Sequence, residues 1–227
     1  MFLKKVLSHN YWAILYFNFK MLPFRQAIRL PFDFSHKIRF ENLSGTIVLN
    51  SSNICRGMIK VGARGSDMFS HNSTIIDIRG KVLFNGFVEL GCGSLLCVKD
   101  RARISFGNSV RIGAMTKIFC EEEIFFGDEI GFSWECQIFD TDFHYMQSIV
   151  NNTLSRKTAS IEIGSYTWFG NRVNVMKGTI IPAYTTVASN SLCNKDYRFV
   201  PKYSLLAGSP AKVVKQGIRR MFERIDL

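Results

Sequence analysis

The feature that most restricts this chain is a period of six in its C-terminal half. Ile163, Phe169, Val175, Ile181, Val187 and Cys193 stand six residues apart, and all are apolar. Four residues after each of the first five come Thr167, Val173, Thr179, Thr185 and Ser191, all small or β-branched. With 47% of the chain hydrophobic, the first series alone has roughly a one in a hundred chance of arising in a given register, and the second makes coincidence untenable. A 3.6-residue period would drift around a helix, and simple alternation would repeat every two residues, so neither a helix nor a flat strand accounts for six. Short strands separated by sharp turns do, three to a triangular coil. Each side returns the chain to an equivalent corner, with the large residue inside and the small one beside it. Gly164 and Gly170 are expected to relieve the turns.

The same phase recurs upstream at Phe106-Gly107, Ile112-Gly113 and Ile118, at Phe126-Gly127, Phe132 and Ile138, and at Leu90-Gly91 and Leu96. Longer steps, Leu96 to Phe106 and Ile118 to Phe126, mark short insertions at turns. These observations predict an all-β fold, a parallel β-helix over residues 43–200. A basic and aromatic cap precedes it over 1–42, and an extension follows over 201–227. In that extension Val214, Ile218, Met221, Phe222 and Ile225 have the spacing of a C-terminal α-helix. Between Ile138 and Ile163 the repeat breaks, and the mostly polar residues 141–158 form an excursion of the kind that carries function on rigid scaffolds.

Residues 1–32 hold Lys4, Lys5, Lys20, Arg25 and Arg29, many aromatic side chains and no acid. They lack the clean apolar run and small-residue cleavage site of a signal peptide, and His9, Asn10, Asn18 and Lys20 interrupt any membrane span. The segment is expected to cap the open end of the core, with peripheral membrane contact as the alternative. A formal net charge of +11 suits a phosphate-bearing cofactor or an anionic surface, and the absence of any nucleic-acid-binding motif argues against nucleic acid as a partner. The six cysteines form no CxxC pair or metal-type grouping, so reduced structural thiols in a cytoplasmic protein, with no metal, are expected.

The stretch from Ile161 to Lys215, IEIGSYTWFGNRVNVMKGTIIPAYTTVASNSLCNKD followed by LLAGSPAKVVK, resembles the hexapeptide-repeat acyltransferases. It is most similar to the branch that O-acetylates sugars, capsular polysaccharides and lipopolysaccharide. The resemblance implies a left-handed coil, against the usual right-handed crossover rule. It also implies a homotrimer with active sites between subunits, acetyl-CoA as co-substrate and a saccharide acceptor. His144, in the excursion, matches the placement of the family's catalytic histidine, and its ordinary pKa of about 6.5 suits a base that takes a hydroxyl proton. Asp140 and Asp142 are both near enough in sequence to orient it.

The same resemblance places Asn171 and Ser189, eighteen residues apart, along a pantetheine groove. A backbone N–H near Gly170-Asn171 is a candidate oxyanion donor, since the tetrahedral intermediate must place its negative oxygen somewhere. Asn194-Lys195 stands where the family usually has Thr-Lys. Lys195, Lys212 and Lys215 carry the charge that CoA phosphates require. Trp168 is a candidate wall for the pantetheine or acceptor channel or, equally, a subunit-packing residue. Glu121, Glu122, Glu123 and Trp134 are candidates for contact with a sugar, with an exposed turn as the alternative reading of the acids. The implied activity is acetyl transfer from acetyl-CoA to a saccharide hydroxyl, in the cytoplasm or at the inner face of the membrane on a lipid-linked saccharide. Competing expectations are the same fold acting on an antibiotic or a serine hydroxyl, and a non-catalytic glycan- or membrane-binding β-helix. A γ-type carbonic anhydrase would need three zinc histidines, and four histidines without suitable pairing do not provide them.

Overall fold

A computed structural model describes residues 9–35, 37–63, 69 and 72–221. Its strands form three sheets of nine, seven and six strands, and every third strand along the chain is paired except for the last two strands of the nine-stranded sheet, which follow at shorter steps. That order is what a triangular coil produces, since each turn of the chain visits all three faces before returning to the first. Pairing is parallel throughout until the last strand. Ile163 lies beside Ile181, Phe169 beside Val187 and Val175 beside Cys193, a spacing of 18 each time. The six-residue series is thus not one interior column but three, one for each face. The fold is a left-handed parallel β-helix.

Both predicted series are interior. Ile163, Phe169, Val175, Ile181, Val187 and Cys193 are buried, as are Thr167, Val173, Thr179, Thr185 and Ser191. The threonines survive burial because their hydroxyls find backbone partners: Thr167 donates to Gly164 O at 2.7 Å and Thr185 to Pro182 O at 2.8 Å. The abundant phenylalanines stack along the prism. Phe84, Phe106 and Phe126 are spaced by 5.2 and 5.0 Å, and Phe132 lies 4.0 Å from Phe169. In-register parallel coils place identical side chains one above another, so flat rings fill successive layers without voids.

Gly164 and Gly170 have a different role from the one expected. Neither adopts a positive φ; two residues beyond them, Tyr166 and Arg172 take the left-handed conformation at φ 59° and 57°. A β-carbon on Gly164 would come within 2.4 Å of Ala183 N, and one on Gly170 within 2.5 Å of Ser189 N. These glycines permit close approach of successive coils, and the corners are turned by larger residues that accept the strain.

The β-helix starts earlier than predicted, since Phe32–Phe34 already pairs with Ile59, Lys60 and Val61. The strands ending at Leu49 and Ala63 are followed by new strands only at Ile59 and Thr74, and these long steps break the six-residue phase and hide the strands from a periodicity argument. At the other end, Leu205–Ala207 continues the nine-stranded sheet beyond residue 200. The expected C-terminal helix is corrected: Lys212–Lys215 is an antiparallel strand on Leu205–Ala207. Residues 216–221 are not helical, and Phe222 and Ile225 lie outside the described residues. The open sheet edge offers Val213 and Val214 a ladder of hydrogen bonds, which β-branched residues favour over an unsupported helical turn.

Two helices close the opposite end, α1 (Tyr11–Met21) and α2 (Phe24–Ala27). Asn10 caps α1 by accepting from Ala13 N at 3.0 Å. Phe17 packs on Phe32, Phe34 and Phe40 with ring centroids at 4.8, 4.9 and 5.3 Å. Asn18 is fully buried and bridges α1 to the first strand, donating to Phe32 O and accepting from Phe32 N. Among the described residues no helix is long and apolar enough to cross a membrane.

Removing a ring from the central stack should leave a cavity that neighbouring layers cannot collapse into. Phe126→Ala is expected to lower unfolding free energy by about 3–5 kcal/mol, and Gly164→Val by about 1–3 kcal/mol or more through the backbone clash. Chemical denaturation of both variants checks this; a Gly164→Val protein as stable as the parent contradicts the close-approach reading.

Candidate active site

Residues 141–158 leave the prism as an antiparallel ribbon. Bridges join Thr141 to Thr158 and Gln147 to Leu154, and Asp142 N donates to Lys157 O at 3.0 Å. The ribbon is stapled to the coil by polar groups. Asp140, fully buried at its base, accepts from Glu121 N at 2.7 Å and Glu122 N at 2.8 Å. Burial pushes its carboxyl above the ordinary range against these bonds, and the Cys120 thiol also donates to it. Thr141 donates to Glu121 at 2.6 Å, and Lys157 pairs with Glu121 at 3.0 Å. Glu122 takes Thr158 at 2.6 Å and Arg156 at 3.1 Å. Lys177 pairs with Asp142 at 2.7 Å and donates to Arg156 O.

His144 sits on this ribbon with its side chain exposed, and no hydrogen bond or ion pair holds it to another described residue. Its position is set by its neighbour. Phe143 adopts φ 65° and packs its ring against Phe119 and Phe139 at 4.8 and 5.6 Å. Neither predicted orienting acid touches the imidazole: Asp140 is committed to two backbone N–H groups, and Asp142 to Lys177. Sequence reasoning missed Phe143, although an aromatic residue directly before the candidate base was a signal that could have found it.

The cofactor candidates gather at a different corner. A cleft of about 410 Å³ is lined by Trp134, Trp168 and Asn171, with Phe69, Arg220 and the backbone at Gly113 and Ala114. It brings together three predicted residues, and it adds Arg220, whose guanidinium lies 4.7 Å from the Trp168 ring centre. Burial and the nearby Arg111 hold the Arg220 pKa below its usual value. Ser189 lies one coil on, where Gly170 approaches its backbone, and is exposed. The Gly170 N–H is spent on Val187 O at 2.8 Å, so it does not serve an oxyanion; no such bond occupies Asn171 N.

Asn194 and Lys195 are exposed at the end of the seven-stranded sheet, with Lys195 5.3 Å from the Tyr197 ring centre. Ala211 N donates to Leu192 O at 2.7 Å, holding the exposed Lys212 near that end. Lys215 is exposed on the same terminal strand.

Glu121 and Trp134, predicted to meet a sugar, are not neighbours in this sense. Glu121 lies beneath the ribbon, while Trp134 faces the cleft. Trp134, Asn171 and Ser189 occupy the corner that enters the seven-stranded sheet, and the ribbon leaves from the corner that follows it. One chain therefore presents the candidate base and the candidate groove at separate corners.

The six cysteines are free thiols, five of them buried. Burial raises the Cys136 and Cys193 pKa values to about 11 and about 12, which suits inert packing residues rather than nucleophiles. His36 and His71 lie outside the described residues.

No protein-family model matches the chain. A Klebsiella pneumoniae protein, an uncharacterized 24.8 kDa protein in a cps region, is 30% identical over 200 residues, covering 88% of this chain and 86% of that one. A Staphylococcus aureus protein provisionally named an acetyltransferase is 36% identical over 78 residues, 34% of this chain; the matched stretch spans 38% of that relative's length. The crystal structure of the polySia-specific acetyltransferase NeuO shares the fold, with a TM-score of 0.57 at 19% identity over 86% of this chain and 80% of that one.

The staple makes a testable claim about the ribbon. Burial alone would raise the Glu121 pKa, but the bonds from Thr141 and Lys157 outweigh it and hold the carboxyl below its usual value. A lowered folded-state value means that the stabilisation is present above the ordinary glutamate range and is lost as pH falls through the folded value. At neutral pH, Glu122→Gln should free Arg156 and speed tryptic cleavage after it by about fivefold, read by mass spectrometry. Unchanged cleavage would mean that the ion pair does not hold the ribbon. The coil register and the interior columns agree with the fold of a known acetyltransferase and with relatives named as acetyltransferases: this chain belongs to the hexapeptide-repeat acyltransferases.

Proposed function

We propose that the protein is an O-acetyltransferase that moves an acetyl group from acetyl-CoA to a hydroxyl of a saccharide, with His144 as general base. The observation that carries this reading is the ribbon: an exposed imidazole on an excursion fixed by a dense polar staple, on a scaffold built for acyl transfer. An unneeded loop would not hold so many carboxylates in hydrogen bonds. A base must be within reach of its substrate proton yet held in place.

In this reading two chains complete each site. The ribbon of one subunit brings His144 to the cleft of its neighbour, where Trp168, Asn171 and Ser189 line the pantetheine groove. The separation of base and groove on one chain supports such an arrangement, and a homotrimer satisfies it with closed symmetry. The exposed ribbon residues Ile149, Val150 and Leu154 then have a partner surface to cover them. The thioester supplies an activated acetyl group. His144 takes the proton as the acceptor oxygen attacks the carbonyl carbon, the C–S bond breaks, and the thiolate regains a proton. Charge developing on the carbonyl oxygen is met by a backbone N–H, for which Asn171 is the candidate at this corner. Lys195, Lys212 and Lys215 bind the CoA phosphates.

The saccharide acceptor is supported by the cps region in the name of the Klebsiella relative. Trp134, which lines the cleft, is the candidate to stack on a sugar ring. Cytoplasmic residence agrees with six unpaired thiols and with the co-substrate.

His144→Ala is expected to lower turnover by roughly 10²-fold or more while CoA affinity stays nearly unchanged, read by thiol release and by calorimetry. Near-normal turnover in that variant refutes the assignment. Mass spectrometry of candidate glycans incubated with enzyme and acetyl-CoA identifies the acceptor by an added acetyl group.

A further inference from the structure

Helix α1 buries Ala13, Ile14, Phe17 and Asn18 against the end of the prism. A surface helix ordinarily turns charged or polar residues outward. Here the outward stripe is Trp12, Leu15, Tyr16 and Phe19, and Phe24 and Ile28 extend it along and just past α2. Trp12 is 84% exposed and Phe24 71%. The rings of Phe19 and Phe24 lie 6.1 Å apart, so the helices present a joined apolar surface rather than scattered side chains. Lys20, Arg25 and Arg29 are exposed around it, and no Asp or Glu occurs before residue 33.

We infer that this cap is a docking surface for an anionic lipid bilayer. Trp12, Tyr16, Phe19 and Phe24 enter the headgroup region, and Lys20, Arg25 and Arg29 meet lipid phosphates. Trp and Tyr combine an apolar body with a polar edge, which suits the boundary between water and acyl chains. With 11 residues, α1 is far short of the roughly 20 needed to span, so it lies along the surface. A second copy docking through the same face would set the cations of one cap against those of the other, whereas lipid phosphates neutralise them. The inference is independent of the acetyl-transfer reading, because binding is measured without any substrate.

The test uses the full chain with phosphatidylcholine vesicles and with vesicles in which about a third of the lipid is phosphatidylglycerol. Co-sedimentation should favour the anionic vesicles by at least about tenfold, since each basic residue near the surface contributes roughly fivefold. Tryptophan emission should shift to shorter wavelength on binding. Trp12→Glu with Phe24→Glu, and separately Lys20→Glu with Arg25→Glu, should each cut that partition about tenfold at unchanged circular dichroism and thermal midpoint. Equal or negligible binding to both vesicle types would overturn the proposal, as would full binding by the Trp12→Glu, Phe24→Glu protein. So would sedimentation velocity showing an end-to-end assembly that this variant abolishes without any vesicle binding, which would assign the face to self-association.

Discussion

Stacking of successive coils is the interaction on which everything else in this molecule depends. Each turn satisfies its backbone N–H and C=O groups through the turns before and after it, as in the ladder from Trp168 to Thr185 O and from Gly170 to Val187 O. The interior adds columns of aliphatic side chains and flat rings that repeat in register. Such a scaffold is quasi-one-dimensional, with stability coming from neighbour contacts and trouble arising at the two ends. One end is closed by α1 and α2, the other by the antiparallel strand Lys212–Lys215. Glycines at the corners allow the coils to approach closely enough for the ladder to form.

A frame of this stiffness can carry an excursion with little apolar packing of its own. The ribbon over residues 141–158 is attached by carboxylates and hydroxyls, with the buried Asp140 capping the turn beneath it and Glu121 and Glu122 holding its two strands. Glu121 and Glu122 have their carboxylates occupied by the loop. They fix the base of the ribbon on which Phe143 and His144 stand. The cleft at Trp134, Trp168 and Asn171 lies at another corner.

The cap joins two demands in one short segment. Its inner face must close the prism, which Phe17 and the bonded amide of Asn18 accomplish. Its outer face answers to something else, because an apolar and cationic stripe adds nothing to closure.

The sequence by itself determined the period, the interior residues, the position of the excursion and the candidate base. Repeats that stack on their neighbours impose the same spacing on every coil, so local order carries the fold. Only the tertiary structure decided which group each acid holds, because Asp140 meets Glu121 and Lys157 meets Glu121 across coils with no period to announce them. It also decided that Gly164 and Gly170 serve close approach, since a clash one coil away is invisible along the chain. The C-terminal segment shows the same limit. Val214, Ile218 and Met221 have helical spacing, yet an exposed sheet edge competes for Val213 and Val214, and that edge exists only once the prism has formed.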